Sequence, residues 1–238
     1  MQLSIVTIFA ATICCALYVN CTEETPEAKR ETVPKDGEDL PLLNRHMQKR
    51  HYGRSTSGVV YTRWGHNSCP GGRTLVYTGS MAGSFHSHEG GGSNYLCLPE
   101  VPQYDNSVYA GKQLYRGYVY HVEYRGRSGP LNSKRYNDLP CAVCLQEQRN
   151  NYIMYPARKD CPSGWTREYY GYLMSSKYNQ ATSEYVCVDV SGGILTGTSS
   201  AVNGASIYPV ESRCSRGSGL PCAPYVDGYE LTCAVCSK

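Results

Sequence analysis

The sequence predicts a mainly β protein, a tandem duplication of a small disulfide-stapled β unit with long irregular loops. Three observations carry this. Short runs rich in Val, Ile, Thr and Tyr alternate with Gly, Pro, Ser and Asn clusters. A pattern of cysteines, glycines and tyrosines occurs twice at matching offsets. An uncharged apolar run from Leu3 to Val19 opens the chain and directs it to an oxidising compartment, where cystines form.

Residues 1–21 read as a secretory signal peptide, with cleavage expected after Cys21. The run is short for a membrane anchor and gives way at once to the acidic TEETPE. No later segment is long and apolar enough to span a bilayer, so the chain is expected to be secreted and extracellular. Residues 22–50 are charged, contain proline and lack aromatics, a composition that buries too little apolar surface to offset chain entropy. This stretch is expected to be a disordered linker or a pro-segment, and the basic pair Lys49-Arg50, just before the Cys-rich sequence, is a possible cleavage point.

Of the thirteen cysteines, Cys14, Cys15 and Cys21 fall in the signal. The remaining ten, Cys69, Cys97, Cys141, Cys144, Cys161, Cys187, Cys214, Cys222, Cys233 and Cys236, are an even set and predict a disulfide framework. Residues 51–150 and 151–238 form the two copies. Cys69-Pro70 matches Cys161-Pro162, with Tyr77 and Tyr169, then Gly79 and Gly171, at equal distances beyond them. Tyr95 and Tyr185 each stand two residues before Cys97 and Cys187, and CAVC occurs at both Cys141–Cys144 and Cys233–Cys236. Cys214 and Cys222 have no counterpart in the first copy, so they are expected to pair with each other, leaving eight cysteines to pair alike in both copies.

Strands are expected in GVVYTRW, RTLVYTGS, NYLCLP, YRGYVYHVEYRG, NNYIMYP and EYVCVDV. Only SVYAGKQLY offers a helical turn, and Gly111 weakens it. Each copy is small for a self-sufficient core, so an apolar and permanent interface between copies is expected.

The run Cys161-Pro162-Ser163-Gly164-Trp165, followed by Tyr169, Gly171 and Tyr172, resembles the signature opening each half of the C-terminal non-collagenous domain of type IV collagen. Gly90–Pro99, Leu139–Cys144 and Glu230–Lys238 resemble more closely the C-terminal non-collagenous domain of invertebrate short-chain, spongin-type collagens and their collagen-free relatives. The resemblance covers most of residues 58–238 and implies an adhesive or assembling extracellular module. The chain departs from it by lacking a Gly-X-Y tract, which rules out a triple helix, and by carrying Gly72-Arg73 where the signature has Gly-Trp.

Other constellations are weaker. A CxxC pair can serve disulfide exchange, but in an oxidising compartment the CAVC cysteines read as structural cystines, which also consume the thiolates a zinc site would need. His86 and His88 are weak candidate metal ligands: on a strand they would share a face, yet Glu89 would be out of phase and the second copy has neither histidine. Nucleophile-elbow, zincin, P-loop and dinucleotide motifs are absent, so no catalytic residue, enzyme activity or cofactor is expected. A net charge of +3, evenly scattered, gives no reason to expect nucleic acid. The chain has twenty-two tyrosines against two phenylalanines. Tyr104, Tyr109, Tyr115, Tyr118, Tyr120 and Tyr124, interleaved with Lys112, Arg116 and Asp105, form a possible recognition face or a half-buried hairpin.

The function expected is that of an extracellular matrix structural or adhesive protein, acting by protein–protein or mineral and matrix contacts. Its partners would be matrix proteins or glycans, with self-association possible. The alternative is a secreted recognition protein, lectin-like or immune, binding glycans through Tyr-rich loops.

Overall fold

A computed structural model describes residues 57–105, 115–215 and 218–238. The signal peptide, the 22–50 segment with Lys49 and Arg50, Tyr109 and nearly all of SVYAGKQLY lie outside the described residues. Among the described residues no helix is long and apolar enough to cross a membrane.

The fold is mainly β. The first half contributes β1 (Gly58–Trp64), β2 (Thr74–Gly83), β3 (Leu96–Pro99), β4 (Tyr120–Tyr124) and β5 (Pro140–Glu147), with one 3-10 turn at Asn132–Lys134. The second contributes β6 (Tyr152–Pro156), β7 (Thr166–Ser175), β8 (Val186–Asp189), β9 (Ala205–Pro209), the short β10 (Cys214–Ser215) and β11 (Ser218–Gly219), and β12 (Thr232–Ser237). The halves pair their strands alike. β5 lies between β1 and β2, and β2 also pairs β3 and β4; β12 lies between β6 and β7, and β7 also pairs β8 and β9. Two parallel contacts join the halves, β1 to β8 at Trp64↔Val188 and β4 to β9 from Val122↔Ala205 to Tyr124↔Ile207. With β9 also on β7, the path β7-β8-β1-β5-β2-β4-β9 returns to its first strand.

The two CAVC runs form the central strands β5 and β12, which pattern reading of the sequence missed. Their residues are buried on both faces, so the alternation that marks a half-exposed strand is lacking. Conversely, the strand expected over 115–126 is confined to β4, because its ladder partners reach no further: β2 ends at Gly83, opposite Tyr120, and β9 pairs only Val122 to Tyr124.

The cystines follow from this geometry. Side chains three residues apart on a strand point to opposite faces. Cys141 therefore reaches Cys97 on β3, while Cys144 reaches Cys69 in the β1–β2 loop. Cys233 reaches Cys187 on β8, and Cys236 reaches Cys161 in the β6–β7 loop. Sequence separations are 75 and 44 in the first half and 75 and 46 in the second. Cys214 pairs with Cys222. The matched glycines are equally constrained: a Cβ on Gly79 would lie 1.8 Å from the Leu98 carbonyl oxygen, and one on Gly171 1.7 Å from that of Val188. Gly171→Ala should force β8 off β7 and cost about 2–3 kcal/mol, read as a lowered thermal midpoint.

Both cores are shared by the halves. One gathers Met81, Val122, Tyr124 and Leu139 with Met174, Val186, Val188, Ala205 and Ile207. The other gathers Tyr61, Ala142 and Cys144 with Tyr169, Leu173, Cys187, Cys233 and Val235. The apolar contact between the two halves is thus the interior itself, and the described residues form one compact unit.

Candidate interaction face

Aligned through Cys69 and Cys161, β2 and β7 correspond residue for residue, and both bulge at the same place. The register against the central strand shifts between Leu75 and Tyr77 on β2, and between the partners of Tyr169 and Arg167 on β7. The extra residue is Val76 in one half and Glu168 in the other, and a bulge of this kind re-aims a side chain.

In the second half that residue is covered by the first half. The Glu168 side chain is fully buried. It accepts hydrogen bonds from Tyr61 Oη at 3.0 Å, Arg73 Nε at 2.5 Å and Ser237 Oγ at 2.5 Å. Burial pushes its carboxyl up, but the hydrogen bonds from Arg73, Ser237 and Tyr61 and the guanidinium charge outweigh that and hold it below the usual carboxylate range. Burial and the same carboxylate raise the Tyr61 phenol, so it stays a donor. Beside this cluster Arg63 binds Asp189 at 2.7 Å, and Tyr169 Oη donates to the Thr62 carbonyl at 3.1 Å.

In the first half the corresponding surface is open. Tyr77 is 40% exposed where Tyr169 is 6%, and Leu98 is 36% exposed where Val188 is 0%. Leu75, Val76 and Leu96 are exposed as well. The result is an apolar patch on β2 and β3, bordered by an edge strand, since β3 pairs only β2 among the described strands. Unpaired edges and apolar patches of this kind are where other chains attach. The sequence carried one trace of this asymmetry in Arg73, which stands where Trp165 stands in the second half; the ionic partner Glu168 and the open patch were not recognised.

The structure redistributes the tyrosines of the expected recognition face. Tyr104 and Tyr115 are exposed. Tyr118 and Tyr120 are half-buried, with rings 6.2 and 5.8 Å from His88. Tyr124 does not belong to such a face: it is buried in the shared core, its hydroxyl donating to the Gly193 carbonyl at 3.2 Å, because β4 lies between β2 and β9 and turns this side chain inward. His86 and His88 sit in a turn rather than on a strand, with the His88 amide donating to the Phe85 carbonyl at 3.0 Å. Their rings lie 4.4 and 4.9 Å from the Phe85 ring, and His86 Nδ1 is 3.1 Å from the Gly204 carbonyl oxygen. Among the described residues no three His, Cys, Asp or Glu side chains gather as a metal site. All ten cysteines among the described residues are paired, so neither CAVC run holds a thiol for exchange.

No protein-family model matches this chain.

Proposed function

We propose that this chain is a structural, adhesive component of the extracellular matrix that works by protein–protein contact, including contact with further copies of itself, and that it has no catalytic role. The observation that carries the reading is the open β2–β3 patch, whose counterpart on β7 and β8 is already occupied inside the molecule by β1. Such an arrangement is a half-used, head-to-tail interface.

The residues that would meet across a repeated contact are complementary. Inside the chain, Tyr61, Arg63 and Arg73 face the acidic Glu168 and Asp189. Their counterparts on and beside β6 are Ile153, Tyr155 and Trp165, and the counterparts of the two acids are Val76 and Pro99. An ionic contact within the chain would thus be matched by an apolar one between chains. β6 is also an edge strand, paired only with β12 among the described strands.

Five cystines are compatible with an extracellular setting. The like pairing of Cys69–Cys144 with Cys161–Cys236, and of Cys97–Cys141 with Cys187–Cys233, is what a duplicated unit would produce.

Sedimentation of the secreted chain tests the reading. Association should rise with concentration and be lost in Val76→Arg/Leu98→Arg, both surface changes that leave the melting temperature unaltered. A wild-type chain that stays monomeric at high micromolar concentration and leaves tissue matrix without denaturant would overturn it.

A further inference from the structure

We infer that the second half carries a subsite for a neutral oligosaccharide, in the groove between the ends of β4, β7 and β9. This groove has a volume of about 520 Å³ and is separate from the apolar β2–β3 patch. The inference does not rest on the self-association reading.

The groove is lined by Tyr178, Tyr185 and Tyr208. Tyr178 is 95% exposed and Tyr185 is 61% exposed, so neither contributes its full ring area to the core. Tyr208 is held in place, with Lys177 Nζ 6.0 Å from its ring centroid and Gln180 Nε2 donating to its hydroxyl at 3.4 Å. In the first half the matching positions are consumed by the fold. The His86 ring, the counterpart of Tyr178, lies 4.4 Å from the Phe85 ring with its Nδ1 3.1 Å from the Gly204 carbonyl oxygen. Tyr95, the counterpart of Tyr185, is buried with its hydroxyl 2.7 Å from Ser183 Oγ, and burial pushes that phenol up to about 12. In the second half Tyr178 and Tyr185 stay exposed at the groove instead.

Both signs of charge border the tyrosines: Arg127, Lys177 and Arg213 with Glu211 and Glu230. Such a rim suits a hydroxyl-rich ligand, because carboxylates accept from hydroxyls, cations donate to them, and tyrosine faces pack on the C–H faces of sugar rings. A polyanion finds no field of one sign here, since Glu211 and Glu230 stand beside Arg127 and Lys177, and Arg213 is already paired with Asp227 at 3.2 Å.

The test uses the intact secreted chain on an array of neutral hexose and N-acetylhexosamine oligosaccharides beside sulfated and uronate polymers. Retention is expected on neutral sugars and should persist in high salt. Tyr178→Ala and Tyr185→Ala should each weaken it about tenfold, which corresponds to about 1.4 kcal/mol. Tyr104→Ala, an exposed tyrosine elsewhere, should not. Three results would overturn the inference: no retention on any neutral sugar, retention only on polyanions that salt abolishes, or a Tyr178→Ala effect on sedimentation alone. The last would make the groove a contact between copies. Val76→Arg/Leu98→Arg should abolish self-association and leave sugar retention unchanged, so the two surfaces are told apart.

Discussion

Arg73→Ala should cost about 3–5 kcal/mol of stability at neutral pH, because it leaves the buried Glu168 carboxylate without its cation. Tyr61 and Ser237 would still donate to that carboxylate, but two neutral hydrogen bonds do not replace a charge-assisted one. Adding Glu168→Gln should recover much of the loss, since a neutral amide needs no counter-ion. Chemical denaturation of the wild type, the two single variants and the double variant gives the coupling directly. A double variant as unstable as Arg73→Ala alone would show that Arg73 acts through packing.

The pH dependence of that loss is also determined. Glu168 titrates below its ordinary value in the folded protein, so its stabilising contribution is complete above the ordinary carboxylate pKa and disappears as pH falls through the lower, folded value. The deficit of Arg73→Ala should therefore be largest at neutral pH and shrink in acid, where a protonated Glu168 no longer needs the guanidinium. Glu123 and Asp138 act in the opposite direction. Burial is the main cause that raises both, so each favours the folded state more as pH falls through its raised value. Acid stability of the wild type is the balance of these opposed groups, and only the Arg73 comparison isolates Glu168.

Removing the Cys187–Cys233 cystine should be comparably costly. Its cysteines lie 46 residues apart and are both buried in the core shared by the halves. Loop-closure entropy for that separation gives about 4 kcal/mol, against about 2.5 kcal/mol for the 8-residue separation of Cys214 and Cys222. Cys187→Ala/Cys233→Ala should thus lower the thermal midpoint well beyond Cys214→Ala/Cys222→Ala, and a cavity term widens the gap because the first pair is enclosed while Cys222 is exposed. Equal losses would mean that the unfolded chain is restrained equally by both bridges, contrary to the loop-length argument.

Much of the framework was readable along the chain because it is written in residue types with few roles. Paired cysteines, and glycines where no Cβ fits, imprint their spacing on the sequence twice; Gly79 and Gly171 are both explained by a carbonyl oxygen less than 2 Å from the missing Cβ. The Cys214–Cys222 bridge was foreseen because two cysteines appear together in one copy only. The central strands were less legible, since CAVC is too short and too uniformly buried to show a period.

A mainly β framework and the Cys214–Cys222 bridge were thus legible in the residues alone, because both depend on local residue chemistry and spacing. Only the tertiary structure decided which surface is used and which is free. Val76 on β2 and Glu168 on β7 occupy corresponding bulges of corresponding strands, and β1 of the first half lies across only the second of them. Burial is a property of what packs on a residue from a distant part of the chain, so equivalent positions in two similar halves came to bear an open apolar patch in one and a closed ionic contact in the other.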